Sequence, residues 1–170
     1  RCSSASTGAY SHTMTAYEKL YINGQWVPSS GTDTLSVTDS ATEEVIATIP
    51  EGTAADVDAA VAAAKAAFPA WSALPKEERA AYLMKIHAGL EARTDEIAST
   101  TAKEVGMPLF LSNLIHAGLP KANFAIAAQL LGSYEFEKQV GNSLVVREAI
   151  GVVGCITPWN YPLHQIALKV

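Results

Sequence analysis

Residues 147–162 read Arg-Glu-Ala-Ile-Gly-Val-Val-Gly-Cys-Ile-Thr-Pro-Trp-Asn-Tyr-Pro, an apolar run that breaks into an aromatic turn bracketed by two prolines. The uniformly apolar part, residues 151–157, predicts a strand that is covered on both faces. Side chains just beyond the carboxyl end of such a strand lie where open α/β sheets bind ligands. The turn is therefore a candidate site, in which Pro158 and Pro162 would hold the Asn160 amide in one orientation.

The same turn also has a purely structural interpretation. Its aromatic side chains could fill a core, and Asn160 could cap the helix that follows. A fixed amide donor also suits an oxyanion, and the residues alone do not separate the two interpretations. Gly151 and Gly154 do not form a Gly-x-Gly-x-x-Gly fingerprint, so a conventional dinucleotide loop is not indicated.

Length and composition indicate a globular protein. The chain has 170 residues, of which 49% are hydrophobic and 17% charged, which excludes a disordered or fibrous chain and allows one sizeable core. A net charge of -5 offers no basic field for nucleic acid, and no apolar run approaches the roughly 20 residues that cross a bilayer. Cys2 and Cys155 indicate neither a disulfide framework nor a metal site, which favours a reduced, cytoplasmic setting.

The amino-terminal part divides into a polar segment and a β-rich region. Residues 1–13 have neither the apolar run of a signal peptide nor the arginines of a transit peptide, so we expect a disordered leader or tail before a domain over 14–170. Asn23-Gly24 lies between two apolar runs and predicts a β-hairpin. Residues 35–38 and 45–49 alternate in the manner of strands.

Three helices are predicted next. Thr53 and Asp56 form a capping pattern at the start of the first, whose apolar stripe runs to Phe68 and stops before Pro69. The second is expected over residues 75–93, and Thr94 is expected to cap a third that ends at Gly106.

The rest of the chain is predicted to return from helix to strand. Helical turns should resume after Pro108, with a break or kink at Leu119-Pro120. Residues 132–142 are predicted to be a connecting loop, and residues 143–148 a strand that precedes the strand at 151–157.

The sequence resembles the aldehyde dehydrogenase superfamily. The resemblance rests on the quoted stretch together with Lys169, and extends back to Tyr21-Ile22-Asn23-Gly24-Gln25-Trp26, Ala67-Phe68 with Trp71, and Glu104-Val105-Gly106-Met107-Pro108. It implies an α/β fold in which amino-terminal β-hairpins and a helical layer lead into the first strand of a Rossmann-like cofactor domain. It also implies that this fold is incomplete, because the chain is the amino-terminal part of a longer enzyme.

The resemblance assigns roles to residues around the turn. In this family a cysteine thiolate attacks an aldehyde, and the hydride passes to NAD or NADP. Asn160 matches the side-chain oxyanion donor, and Lys169 matches a lysine near the nucleophile that is thought to help proton relay. Residues that match the cofactor-bordering turn are Ile156, Thr157, Pro158 and Trp159, and those that match the aldehyde channel are Tyr161, His164 and Gln165.

His164 and Gln165 are polar, which predicts a substrate with polar character. No second histidine, cysteine or carboxylate lies at helical spacing from His164, so we do not expect His164 to bind a metal. Cys155 precedes the turn and is interpreted as an inert core residue rather than the nucleophile. The other histidines are expected to be ordinary surface or loop residues. Ala149 and Met107 stand where many relatives have a proline and a lysine. Both positions lie away from the chemistry, so these differences bear on the rigidity of the local backbone and not on activity.

The resemblance places the nucleophilic cysteine, the glutamate base and the adenosine-binding segment after Val170. We therefore expect the chain alone to be inactive and the full-length enzyme to be a homo-dimer or homo-tetramer acting on a small-molecule aldehyde. Two alternatives stay open: a non-catalytic binding or assembly module derived from the family, and an acylating enzyme that passes the acyl group to coenzyme A. The aldehyde and the choice between NAD and NADP are not decided by these residues.

Overall fold

A computed structural model describes residues 15–170, so the predicted leader at 1–13 lies outside the described residues. The strands are β1 (Thr15–Ala16), β2 (Lys19–Ile22), β3 (Gln25–Pro28), β4 (Thr34–Thr38), β5 (Val45–Pro50), β6 (Glu137–Val140) and β7 (Ser143–Val146). The helices are α1 (Ala54–Ser72), α2 (Lys76–Glu91), α3 (Thr94–Val105), α4 (Leu109–Ser112), α5 (Leu119–Ser133) and α6 (Pro162–Ala167). A π-helical turn, Asn113–Gly118, joins α4 to α5.

The first hairpin forms as predicted. β2 and β3 pair antiparallel across Asn23 and Gly24, whose φ angles of 53° and 74° are those of a type I′ turn. Tyr21 and Trp26 lie opposite each other, with ring centroids 5.2 Å apart, and this aromatic pair stabilises the register.

The predicted strands at 35–38 and 45–49 are also confirmed. They correspond to β4 and β5, which pair antiparallel, while β1 adds to the other edge of β5 in parallel. Ala47 is buried in the middle of this small sheet. The amino-terminal region is therefore mostly β, as the alternating pattern indicates.

Helix α1 begins as predicted but ends later. The Thr53 hydroxyl accepts a hydrogen bond from the Asp56 amide at 3.3 Å, and Asp56 Oδ2 accepts one from the Thr53 amide at 2.9 Å, which completes a capping box. The helix continues through Pro69 to Ser72. The predicted stop before Pro69 is wrong, because a proline removes one backbone hydrogen bond and the helical bonds on either side continue past it.

Asp56 also joins α1 to the loop after β3. Its carboxylate accepts hydrogen bonds from Ser29 Oγ at 2.7 Å and from the Ser30 amide at 2.9 Å. The hydrogen bond from Thr53, followed by those from Ser29 and Ser30, holds the pKa of Asp56 well below its ordinary value. The ionised form therefore stabilises the folded chain.

This linkage predicts an acid-sensitive component of stability. Because the pKa of Asp56 is depressed in the folded state, its contribution should be present near neutral pH and should be lost as the pH falls below about 4. Urea unfolding at a series of pH values should show the difference in unfolding free energy between wild type and Asp56→Asn shrinking in that window. Asp58→Asn, an exposed change on the same helix, should retain the wild-type pH dependence. An unchanged gap between wild type and Asp56→Asn down to strong acid would contradict the linkage.

Helices α2, α3 and α5 form the helical layer. α2 lies within the predicted range 75–93, and α3 ends at Gly106, whose φ of 74° is the left-handed conformation expected there. The predicted cap at Thr94 is wrong: Arg93 occupies the N-cap position, and the Thr94 hydroxyl instead donates to the Glu91 carbonyl at 2.8 Å. The hydroxyl is thus used to bond a carbonyl of the preceding helix and not to cap α3.

A lysine connects the three helices. Lys121 of α5 donates to Thr94 Oγ1 at 2.9 Å and forms an ion pair with Glu91 at 2.7 Å. His87 Nδ1 lies 3.0 Å from the Lys121 carbonyl oxygen, which adds a contact between α2 and α5. Together with the α2–α5 packing, these bonds fix the helices that support the carboxyl-terminal turn.

The predicted break near Leu119-Pro120 is confirmed as a change of helical type. The chain passes from α4 through the π-helical turn into α5, and Pro120 lies in the first turn of α5, where a missing amide costs least. One face of this segment is buried at every fourth position: Ser112, His116, Pro120, Phe124 and Ala128. His116 is 0% exposed, so the prediction that it is an ordinary surface or loop residue is wrong.

The second hairpin contradicts the predicted loop at 132–142. β6 lies within that range and pairs with β7 across Gly141, which has a φ of 59°. β7 confirms the strand predicted at 143–148. Both strands are exposed along their length, and neither face of the hairpin needs apolar side chains. β6 therefore lacks the alternation of apolar and polar residues by which a strand is recognised in sequence.

Residues 151–157 do not form the predicted strand. They have no strand partner among residues 15–170, and Ile156 is 91% exposed instead of covered. A strand exists only through hydrogen bonds to a neighbouring strand, and the described part of the chain offers none. None of the helices over residues 15–170 is long and apolar enough to span a membrane.

Candidate active site

The turn at Trp159 and Asn160 leads directly into α6. Tyr161 occupies the N-cap position of this helix with φ of -139° and ψ of 59°, and it makes no side-chain capping bond. Asn160 therefore does not cap the helix, and Trp159 is 77% exposed rather than packed in a core. The capping part of the structural interpretation is therefore wrong, and the core part is wrong for Trp159 but not for Tyr161, which is half-buried and lies against the His116 ring. α6 packs against α5 and the π-helical turn, which fixes the position of the site turn.

Asn160 is the polar residue of the turn. Its side chain is exposed and takes part in no hydrogen bond within the part of the chain that the structure describes. An amide donor on a turn between two prolines loses little conformational freedom when it binds a ligand. The geometry is therefore compatible with donation to an oxyanion.

A polar cluster lies beneath the turn. The rings of His116 and Tyr161 have centroids 5.4 Å apart, and those of Tyr161 and His164 are 6.1 Å apart. Asn123 Nδ2 lies 3.0 Å from His164 Nδ1, which connects the cluster to α5. The structure thus brings Tyr161 and His164 together with two residues that the sequence did not single out.

His116 is the most unusual member of this cluster. Both ring nitrogens are buried, and neither hydrogen bonds to a residue of the described range. Burial, and to a lesser degree the neighbouring His164, lowers the pKa of His116. The ring is therefore neutral at physiological pH and offers one donor and one acceptor beside Tyr161.

Lys169 and Gln165 form a pair of their own at the end of α6. The Lys169 ammonium donates to Gln165 Oε1 at 2.9 Å and to the Gln165 carbonyl at 3.2 Å. Both residues follow the turn closely, but their recorded hydrogen bonds are to each other and not to Asn160. A reorientation of the flexible lysine side chain would be needed for it to act at the reacting atoms.

The residues predicted to border a cofactor lie on an uncovered segment. Ile156, Thr157, Pro158 and Trp159 are all exposed. Cys155 is an exposed free thiol, so its interpretation as an inert core residue is wrong. The cause is the same as for the missing strand: no neighbour from residues 15–170 covers this segment.

Of the two cluster residues that the sequence did not single out, only His116 could have been found from sequence. The four-residue spacing that runs from Ser112 to Ala128 includes His116, and a polar residue on a buried stripe needs an explanation. Asn123 gives no such signal, because its partner His164 is distant in sequence and adjacent only in the fold.

The chain is similar to a family of known proteins. A model of the aldehyde dehydrogenase family matches residues 26–170. A Staphylococcus aureus protein classed with the aldehyde dehydrogenases is 45% identical over 157 residues, which are 92% of this chain and 33% of that protein.

Solved structures of aldehyde dehydrogenases superpose on the same region. Aldehyde dehydrogenase C from Pseudomonas syringae, in complex with NAD+ and octanal, has a TM-score of 0.86 and 39% identity, covering 88% of this chain and 31% of that one. The Mycobacterium tuberculosis aldehyde dehydrogenase with NAD+ has a TM-score of 0.87 and 35% identity, covering 93% of this chain and 34% of that one.

These matches define the fold as a mixed α/β fold that reproduces part of the aldehyde dehydrogenase architecture, as the sequence predicts. Because the family model covers most of the residues, the chain belongs to the aldehyde dehydrogenase family. The chain spans about a third of the length of the relatives that it matches.

Proposed function

We propose that this chain supplies the oxyanion-binding and cofactor-facing part of an NAD(P)-dependent aldehyde dehydrogenase that oxidises an aldehyde to a carboxylic acid. The single observation that supports this most is the exposed Asn160 amide on a turn between two prolines, in a chain that belongs to the family. The solved relatives with NAD+ support the cofactor class.

Asn160 is the residue to which we assign the chemistry. When a thiolate attacks an aldehyde, the carbonyl oxygen becomes an oxyanion, and an amide N–H aimed at it stabilises the transition state. Asn160 has no competing hydrogen bond in the described residues and need not break one in order to donate. We assign to Lys169 the role of a proton-relay group. In that role the Lys169 ammonium must leave its hydrogen bonds to Gln165 and turn toward the substrate.

The segment before the turn fits a nicotinamide cofactor. It offers an exposed backbone with Thr157 between an aliphatic and an aromatic side chain, which suits the flat apolar ring and its sugar. We assign Ile156, Thr157, Pro158 and Trp159 to this contact. The bound cofactor would accept the hydride; these residues would orient it and exclude water.

The cluster behind the turn supports a substrate with polar character. We place Tyr161, His164 and Gln165 along the aldehyde channel, and His116 lies directly behind Tyr161. The Tyr161 phenol and the His164 imidazole offer hydrogen bonds to a hydroxyl or carbonyl group of the substrate, which a purely aliphatic aldehyde would leave unpaired.

Activity measurements test the proposal. The full-length protein that contains this chain should reduce NAD+ or NADP+ in the presence of an aldehyde and release the acid, whereas the 170-residue chain alone should show no activity. The reason is that neither of its cysteines, Cys2 and Cys155, is at the position of the family nucleophile. Oxidation by the chain alone would refute this division of roles.

The same assay separates the alternatives. Full-length protein that fails to reduce either cofactor with a panel of hydroxylated, aromatic and aliphatic aldehydes would favour a non-catalytic binding or assembly module. Strict dependence on coenzyme A would favour the acylating reaction over hydrolysis.

A further inference from the structure

Three cationic side chains surround a cleft that contains none of the residues assigned to aldehyde chemistry. Lys76 and Arg79 of α2 and Arg147 after β7 line it, together with Phe68, Ser72, Phe136, Glu148 and Ala149. The ion pairs within residues 15–170 are Arg93–Glu96 and Lys121–Glu91, so none of the three cations at the cleft is neutralised by one. The lining therefore has three positive charges against the single carboxylate of Glu148.

Neutral groups hold these cations in place. Lys76 Nζ donates to the Gly132 carbonyl at 2.9 Å, and Arg147 Nη1 donates to the Glu135 carbonyl at 3.0 Å. The Arg79 guanidinium lies over the Phe136 ring, 5.1 Å from its centroid. Carbonyl dipoles and an aromatic face orient a charge without cancelling it, so the cleft keeps a positive potential.

Arg79 has an unmet hydrogen-bonding requirement. Its Nε atom is buried and has no hydrogen-bond partner within the described part of the chain. A buried, unpaired donor on a charged group is costly, and a rotation of the Arg79 side chain toward an oxyanion in the cleft that it lines would remove that cost. The guanidinium fork is the group that recognises phosphate and carboxylate oxygens in a planar, paired manner.

We propose that this cleft binds a small organic phosphate monoester. Its volume of about 560 Å³ is that of a ligand pocket rather than of a lone ion. The three cations match the double negative charge of the phosphate, and Phe68 and Phe136 provide an apolar wall for the organic group. The site is separate from the aldehyde site and does not depend on the proposed function.

Titrations by calorimetry of the full-length protein that contains this chain test the proposal, with phenyl phosphate and inorganic phosphate as probes. Phenyl phosphate should bind with a stoichiometry near one and more tightly than inorganic phosphate, because only the ester contacts the apolar wall. Arg79→Gln should weaken phenyl phosphate binding about tenfold or more. Glu148→Gln should strengthen binding, since it removes the only negative charge of the lining.

A matched control distinguishes the cleft from general surface charge. Lys65→Gln removes an exposed cation of α1 that does not line the cleft, and it should leave the affinity unchanged within about twofold. If circular dichroism shows that Arg79→Gln does not fold, Arg147→Gln provides the same measurement. The proposal is wrong if wild type shows no saturable binding, if Lys65→Gln weakens binding as much as Arg79→Gln, or if phenol or inorganic phosphate binds as tightly as phenyl phosphate.

Discussion

Replacing Asn160 by alanine in the full-length enzyme should reduce kcat by about 10²–10³ while KM changes by less than about threefold. An oxyanion donor interacts with charge that develops in the transition state, so its removal slows the reaction more than it weakens binding of the uncharged aldehyde. The described residues contain no hydrogen bond from the Asn160 side chain, so its loss should not unfold the turn. Steady-state kinetics together with a thermal melt measure both effects.

Two further variants sharpen this experiment. Asn160→Asp keeps the shape of the side chain but replaces the donor amide by a carboxylate, and it should be at least as slow as Asn160→Ala. Asn142→Ala changes an exposed asparagine beside Gly141 of the second hairpin and should retain kcat within about twofold. Equal losses in kcat and 1/KM for Asn160→Ala, or no loss, would remove Asn160 from the catalytic role.

The features that sequence predicted well are those whose cause lies within a few residues. Asn23-Gly24 has a turn chemistry that no strand pairing can override, and the capping box of Thr53 and Asp56 forms from residues three positions apart. Gly106 ends its helix because a glycine, which has no Cβ, adopts the left-handed conformation without steric cost. Each of these signals is complete before the chain folds.

Apart from the helix stop at Pro69 and the cap at Thr94, the features that sequence predicted wrongly depend on distant partners. Residues 151–157 have the composition of a buried strand, but a strand also requires a neighbour, and no described residue provides one. The prediction that Cys155 is buried failed with it. In the opposite sense, β6 forms because β7 pairs with it, although its own side chains are almost all polar.

The candidate site shows the same division. The Asn160 turn was predicted to be a candidate site because it directly follows an apolar run. The chemical role of Asn160, in contrast, was assigned from the resemblance to the family. The contact of His116 with Tyr161 and the bond of Asn123 to His164 join segments that are far apart in sequence, and only the fold reveals them. The stripe that runs from Ser112 to Ala128 was the one sequence signal for His116.

The second large effect is expected at Phe124, in the middle of that buried stripe. Phe124→Ala should lower the free energy of unfolding by about 3–5 kcal/mol, because the side chain is only 4% exposed and its removal leaves a cavity in α5. The flanking stripe residues Pro120 and Ala128 are also buried, and a closely packed interior relaxes only partly around such a cavity. Urea unfolding followed by circular dichroism measures the loss.

Phe110 provides a matched control for this experiment, since it is the same residue type in α4 but is 72% exposed. Phe110→Ala should change the unfolding free energy by no more than about 0.5 kcal/mol, as is usual for surface positions. Similar losses for the two variants would show that α5 does not form the core of the helical layer. Because α6 packs on α5, a confirmed loss at Phe124 should also loosen the contact of Asn123 with His164, and the His164 ring resonances should then broaden or shift in NMR spectra of Phe124→Ala under folding conditions.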